Sequence, residues 1–181
     1  MTEDSRARFD REAFPHLKDV YHLAQRLTQN EADAHDLAQD AFLRAFESFE
    51  GFTPGTNCRA WLFTITYSVF VNQYRRRRRE ADVVLLDDQA QPLADSAVDQ
   101  RSPALPTPAR AAAEADVETA LAELPDDFRA VIVLVDMEDL SYEEAADVVG
   151  CPVGTIRSRL FRARKHLALR LRDYDVAQRR P

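Results

Sequence analysis

A short segment near the C-terminus carries the strongest constraint on the fold. Ser141 is followed three residues later by Glu144, the spacing of a capping box, in which two side chains satisfy free backbone N–H groups at the start of a helix. Gly150 favours a left-handed end to that helix, and Pro152 prevents its continuation. We therefore predict a helix of about two turns, a sharp turn and a second helix from about Val153, which together form a helix-turn-helix.

The second of these helices has two chemically different faces. At 100° per residue, the face opposite the apolar one presents cations, a hydroxyl and one exposed aromatic ring, as a helix that meets the major groove of DNA does. A solvated basic face is the simpler alternative, but it leaves the exposed ring of Phe161 and the tight turn unexplained. The apolar face comprises Ile156, Leu160, Ala163, Leu167 and Leu171, and the opposite face comprises Arg157, Ser158, Phe161, Arg162 and Lys165.

Charge is segregated along the chain. The net charge is -7, from 24 basic and 31 acidic residues. Six of the basic residues lie in 59–79 and seven in 152–172, and neither segment contains an acidic residue. Two basic segments in an acidic chain suit contact with phosphates, while the acidic remainder suits a basic protein partner.

Several classes of function are disfavoured by composition. Cys58 and Cys151 lie far apart without a CxxC motif, so we expect two reduced thiols and neither a disulfide framework nor a zinc site. The four histidines are scattered, so we expect no metal and no cofactor. No apolar run approaches the roughly 20 residues of a membrane span, and the charged N-terminus lacks a signal-peptide core, so we expect a cytoplasmic protein. An enzyme would need a convergent catalytic cluster, and none is visible.

The N-terminal part, from about Phe9 to Arg79, is predicted to be helical. A second helix, from Glu31 to Phe49, places its acidic side chains opposite its apolar ones, so the acidic side should face outward. Pro54 and Gly55 mark a turn after it. The predicted inward-facing residues are Phe14, Leu17, Tyr21 and Ala24 in the first helix and Leu37, Ala38, Ala41, Ala45 and Phe49 in the second, with Asp33, Asp36 and Asp40 outward.

The segment from Trp61 to Tyr74 is ambiguous between helix and strand. Its apolar residues alternate as in a strand, while Trp61, Ile65 and Val69 also repeat as in a helix. Its length and its unbroken run into five consecutive arginines favour a helix.

Residues 80–113 are predicted to be a flexible linker, because they contain four of the nine prolines and no sustained amphipathic period. Helical patterns resume at about residue 114. We therefore predict an all-α chain with two small helical domains, residues 1–79 and 114–181, joined by this linker.

Five segments, taken in order along the chain, form a recognisable set. They are Asp36-Leu37-Ala38-Gln39-Asp40-Ala41-Phe42, Arg59-Ala60-Trp61-Leu62-Phe63, Leu124-Pro125, Leu140-Ser141-Tyr142-Glu143-Glu144-Ala145-Ala146 and Cys151 to Arg164. A single such motif is weak, since helix-turn-helix units are common, but the ordered set on both sides of a linker is specific. The set resembles extracytoplasmic-function (ECF) sigma factors of bacterial RNA polymerase.

The resemblance implies that the first domain is sigma region 2 and the second is sigma region 4, acting through core polymerase and promoter DNA rather than by catalysis. It implies a core-binding surface for the beta-prime clamp helices, with the beta subunit as a further partner, and a linker that threads the polymerase channels. Trp61 is expected to anchor the domain core rather than stack on bases. The implied residues are Asp36, Gln39 and Asp40 for core polymerase; Asn57, Tyr67, Ser68, Asn72, Tyr74, Arg75, Arg76 and Arg77 for minus-10 DNA; and Thr155, Arg157, Ser158, Phe161, Arg162 and Lys165 for minus-35 DNA.

Finer assignments follow from the same resemblance. Many family members carry Asn where this chain has Ser68, which leaves open the base read there. The loop at Thr56-Asn57, together with residues 69–75, resembles an actinobacterial subgroup that is paired with zinc-binding, redox-sensitive anti-sigma factors. We therefore expect an anti-sigma partner and a stress-responsive role. The alternative is a polymerase-independent helix-turn-helix regulator whose N-terminal domain dimerises or senses a ligand.

Overall fold

The computed structural model describes residues 3–84 and 116–178, with side chains described for 5–73 and 116–171. The chain divides into two compact units, Met1–Asp99 and Gln100–Pro181. Every regular element in the described ranges is helical, which confirms the all-α prediction. The domain limits at residues 79 and 114 stay predictions.

Residues 3–84, the described part of the N-terminal unit, form four α-helices. Asn30 begins the third by accepting a hydrogen bond from the Asp33 backbone N–H at 3.0 Å, and Gln29 ends the second in a left-handed conformation with φ 54°. These two caps produce a tight α2–α3 connection. The elements are α1 (Glu3–Glu12), a 3-10 turn (Phe14–His16), α2 (Leu17–Thr28), α3 (Glu31–Ser48), a 3-10 turn (Phe49–Gly51) and α4 (Cys58–Val84).

The predicted inward stripe of the first helix is mostly wrong. Phe14 and Leu17 are 53% and 45% exposed, and Tyr21 is half-buried. Phe14 lies in the 3-10 turn, so a helical period of 100° per residue does not run continuously from it into α2. The residues of α2 that are buried are Val20, Leu23, Ala24 and Leu27.

The apolar stripe of α3 is confirmed, and α4 resolves the ambiguous segment as a helix. All five predicted inward residues from Leu37 to Phe49 are buried. Helix α4 packs against both α2 and α3, and this tertiary packing overrides the strand-like alternation of its β-branched residues. The helix continues to Val84, through the first five residues of the predicted linker. Residues 85–113 of the predicted linker lie outside the described residues.

The C-terminal unit contains the predicted helix-turn-helix. The Ser141 hydroxyl accepts a hydrogen bond from the Glu144 N–H at 3.1 Å, and the Glu144 carboxylate accepts one from the Ser141 N–H at 3.0 Å. Gly150 ends the helix with φ 71°, where a Cβ would be strained. The elements are α5 (residues 116–122), α6 (Asp126–Ile132), a π turn (Val133–Met137), α7 (Tyr142–Val149) and α8 (Val153–Gln178).

A buried arginine closes the end of α5. Arg129 is only 8% exposed, and its guanidinium donates hydrogen bonds to the carbonyl oxygens of Leu121 at 3.1 Å and Leu124 at 2.9 Å. It also pairs with Asp126 at 3.1 Å. The free carbonyls at a helix C-terminus are thereby satisfied in the core, where an unpaired carbonyl is costly.

We expect Arg129→Met to lower the free energy of unfolding of the C-terminal unit by about 1–3 kcal/mol, because it leaves buried carbonyls without a donor. Urea denaturation of the full chain followed by circular dichroism measures both units, whereas fluorescence of the single tryptophan, Trp61, reports the N-terminal unit. The fluorescence transition should not move. Arg162→Met, on an exposed face, is the matched control, and an Arg129→Met curve that overlays the control would contradict this role.

Candidate nucleic-acid interface

The side chains predicted to face outward on α8 all lie on one exposed face of that helix. Arg157, Ser158, Phe161, Arg162 and Lys165 are all exposed, and Phe161 is 72% exposed. The exposed ring lies among the cations and is available for contact with a partner.

The inward face of α8 is shorter than predicted. Ile156, Leu160 and Ala163 are buried, but Leu167 and Leu171 are only half-buried. Thr155 is half-buried in the first turn of α8, and its carbonyl accepts a hydrogen bond from the Ser158 hydroxyl at 3.0 Å. Among the described side chains of α8, the buried ones therefore lie in its first three turns, which carry most of the predicted reading residues.

Three other arginines of α8 are held by acidic residues of the same unit. Arg159 pairs with Asp127 at 2.7 Å and Arg170 with Glu123 at 2.9 Å. The third, Arg164, forms a bidentate ion pair with Asp136 in the π turn. Its hydrogen bond with Asp136 is the main reason that the pKa of Arg164 is raised above its usual value.

The cations of α8 therefore fall into two groups. Arg157, Arg162 and Lys165 make no ion pair with any side chain that the structure describes. With a rise of 1.5 Å per residue they span about 12 Å, which matches the width of about 12 Å of the major groove. The paired arginines lie at the edges of this face, so the charge available to a phosphate or base is concentrated in its centre.

The outward face of α3 in the N-terminal unit is acidic, as predicted. Asp36, Gln39 and Asp40 are exposed, and the Gln73 side chain on α4 donates to the Asp40 carboxylate at 3.0 Å. Leu43, 57% exposed, continues this face at the i, i+3, i+4, i+7 spacing from Asp36. Sequence reasoning missed Leu43, although this spacing could have identified it.

Only some of the residues implied for minus-10 DNA are exposed near one another. Ser68 and Asn72 are exposed and one turn apart on α4. Asn57 is exposed in the loop, where its side chain accepts a hydrogen bond from the Ala60 N–H at 3.1 Å and caps α4. Tyr67, implied as a minus-10 contact by the resemblance, is only 8% exposed, because its position on α4 turns it into the domain. The side chains of Tyr74, Arg75, Arg76 and Arg77 lie outside the described part of the structure.

Ser68 lines an open cleft of about 410 Å³ between α3 and α4. Most of its lining residues are polar or charged, but the wall surface is formed mainly by their carbon atoms and by one aliphatic side chain. A cleft of this kind can accept a planar group beside a hydroxyl donor. Its lining residues are Arg44, Glu47, Ser48, Thr64, Ile65 and Ser68.

Two residues of the basic segment 59–79, Arg59 and Trp61, contact other residues of the N-terminal unit. Arg59, which was counted with the phosphate-binding cations, donates to Asp19 at 3.1 Å and lies 4.6 Å over the ring of Phe63. Trp61 is half-buried against Phe49 and Phe52, with ring centroids 6.0 and 5.0 Å away. Both therefore tie α4 to the rest of the unit, which is the anchoring position expected for Trp61.

Within the described residues no group of three His, Cys, Asp or Glu side chains is placed to hold a metal ion. No helix in the same ranges is both long enough and apolar enough to cross a bilayer. Cys58 and Cys151 are free thiols.

Comparison with known proteins gives two family matches in order along the chain. The family model for Sigma-70 region 2 matches residues 15–80, and that for Sigma-70 region 4 matches residues 114–167.

Individual relatives are named as ECF sigma factors. The chain is 40% identical over 163 residues to ECF RNA polymerase sigma factor SigE of Mycolicibacterium smegmatis, a match that covers 88% of this chain but only 58% of that protein. It is 38% identical to ECF RNA polymerase sigma factor EcfG of Rhodopseudomonas palustris, covering 78% of this chain and 73% of the relative.

Solved structures with a similar fold include a sigma factor. The sigma factor RpoE in complex with the anti-sigma factor NepR from Bartonella quintana aligns with TM-score 0.76 and 32% identity, covering 91% of this chain and 97% of that one. CnrH in complex with the cytosolic domain of CnrY aligns with TM-score 0.63 and 28% identity, covering 94% and 90%.

We expect Cys58 to react slowly with alkylating reagents at neutral pH. Partial burial, with a smaller contribution from the charge of Glu12, raises the pKa of its thiol to about 11, so little of the reactive thiolate is present. Iodoacetamide labelling of a Cys151→Ser variant should accelerate with pH up to about 11. A rate that reaches its plateau near pH 8.5, the ordinary thiol range, would contradict the assignment.

Proposed function

The chain belongs to the extracytoplasmic-function family of RNA polymerase sigma factors, and we propose that it directs core polymerase to specific promoters and assists their melting. The observation that carries the proposal is the presence of sigma regions 2 and 4 in order, with unpaired cations centred on the last helix of the helix-turn-helix. DNA recognition through a partner enzyme also suits an acidic chain, whose net charge of -7 opposes strong binding to DNA on its own.

For the N-terminal unit we propose contact with the beta-prime clamp helices of core polymerase through Asp36, Gln39 and Asp40, with the beta subunit as a further contact. Support comes from the exposure of all three side chains on one face of α3. Leu43 adds an apolar group beside the acids, and an interface gains specificity from such charges and stability from such apolar contacts.

For minus-10 DNA the proposal retains Asn57, Ser68 and Asn72, which are exposed, and gives Tyr67 no base contact because its ring is buried. Ser68 offers a hydroxyl at the wall of an open cleft between α3 and α4. Tyr74, Arg75, Arg76 and Arg77 remain proposed contacts on the resemblance alone, the arginines as phosphate contacts.

For minus-35 DNA the proposal assigns base reading to the centre of the α8 face. Exposed arginines without an ion pair are free to donate two hydrogen bonds to one guanine. Phe161 offers an apolar surface to base edges, and Lys165 offers a charge to phosphate. The proposed set is Thr155, Arg157, Ser158, Phe161, Arg162 and Lys165.

We further propose that the protein acts in the cytoplasm in a stress response and is held inactive by an anti-sigma factor. One similar solved structure is described as a sigma factor in complex with the anti-sigma factor NepR, and another is described as CnrH in complex with the cytosolic domain of CnrY. The narrower proposal of a zinc-binding, redox-sensitive anti-sigma factor is supported only by the resemblance of the Thr56-Asn57 loop and residues 69–75. Zinc content and oxidant sensitivity of the purified complex test that narrower proposal.

Run-off transcription tests the function. Core polymerase lacking any sigma factor is mixed with the purified protein and a pool of genomic promoter fragments. We expect defined transcripts from a subset of fragments, and only when the protein is present. If core polymerase gives the same transcripts without it, or none with it, the proposal fails.

We expect Asp40→Arg to weaken binding to core polymerase by about tenfold or more, because it places a like charge against a basic partner surface. Competition against a labelled sigma factor measures the affinity, and circular dichroism verifies the helix content. Asp10→Arg, an exposed site on α1, is the matched control. Equal affinities of the two variants would refute the α3 contact.

We expect Arg157→Ala or Arg162→Ala to reduce discrimination between cognate and altered minus-35 elements by about 1–3 kcal/mol, since each removes a guanine contact. Arg170→Ala should change little, because Arg170 pairs with Glu123. Transcription from promoters that carry each single minus-35 substitution measures the preference. Wild-type profiles for both alanine variants would show that α8 is not the reader.

A further inference from the structure

One of the two proposed reading arginines rests on an aromatic platform. The Arg157 guanidinium lies 5.8 Å from the centroid of the Tyr142 ring. Tyr142 is the first residue of α7, directly after Ser141 of the capping box, and its side chain is half-buried. The platform is therefore fixed beside the capping box that begins α7.

A second arginine of α8 lies near the same tyrosine. Arg164 is held by Asp136 in the π turn, and Tyr142 is among the smaller causes that raise the pKa of Arg164. The Arg164–Asp136 pair thus ties α8 to the π turn, and the Arg157–Tyr142 contact ties α8 to α7.

A platform of this kind restricts a flexible side chain. The planar guanidinium stacks on aromatic faces, and a ring within about 6 Å attracts it. An arginine held in one orientation loses less freedom when it binds a base. Arg162 has no aromatic partner among the described side chains, so the two reading arginines differ in this respect.

We propose that Tyr142 is a positioning residue that orients Arg157 for base reading and so contributes to minus-35 specificity without touching DNA. This inference rests on the proposed function. It adds a residue from the first helix of the helix-turn-helix to those that determine which promoters are chosen.

The test compares Tyr142→Leu, which removes the platform, with Tyr142→Phe, which keeps the ring and removes the hydroxyl. The readout is transcription by holoenzyme from promoters with each single minus-35 substitution. Tyr142→Leu should reduce discrimination by about two- to fivefold, the size of an exposed cation–π contact, and only at base pairs whose preference also changes in Arg157→Ala. Tyr142→Phe should keep the wild-type profile at those base pairs.

Two internal controls separate positioning from a loss of structure. Preferences that depend on Arg162 should be unchanged in Tyr142→Leu, and adding Tyr142→Leu to Arg157→Ala should have no further effect. If circular dichroism shows that Tyr142→Leu folds poorly, Tyr142→Gln removes the ring with a polar side chain instead.

An unchanged profile, or an equal loss at every promoter, would overturn the inference while leaving the proposed function intact. If Arg157→Ala itself left every preference unchanged, the inference would fall because Arg157 reads no base. Failure of the proposed function would be recognised separately, because no holoenzyme variant would then initiate transcription.

Discussion

Acidic side chains from the start of the C-terminal unit determine what its last helix offers to a partner. Glu123, Asp127 and Asp136 hold three arginines at the edges of α8. Exposed ion pairs of this kind contribute only about 0–1 kcal/mol each to stability. Their main consequence is distribution of charge, because the cations that stay unpaired lie together on one face around an exposed Phe161.

The N-terminal unit separates packing from recognition in a similar way. Small residues such as Ala38, Ala41 and Ala45 form the buried side of α3, which lets neighbouring helices approach closely and leaves the acids in solvent. The ion pair between Arg59 and Asp19 fixes the start of α4. In both units, internal contacts thus leave one helix face exposed to solvent, the outward face of α3 in one and of α8 in the other.

Local signals in the sequence predicted the helix-turn-helix because a capping box, a left-handed glycine and a proline act within a few residues. The periodicity of α3 also predicted its buried side. Phe14 was misplaced because single-helix periodicity does not reveal that a 3-10 turn shifts the phase. The burial of Tyr67 depends on the packing of α4 against both α2 and α3, which no local pattern reveals. Arg129 was missed because a buried arginine depends on carbonyls brought near it by the tertiary fold.

Footprinting tests most directly whether this chain recognises DNA as a polymerase subunit. The same promoter fragment is footprinted with the protein alone and with the protein bound to core polymerase. The account predicts protection of the minus-35 and minus-10 elements only when both are present, since the free chain carries a net charge of -7 that opposes DNA binding. Equal protection by the protein alone would contradict it and would favour a regulator that acts independently of polymerase.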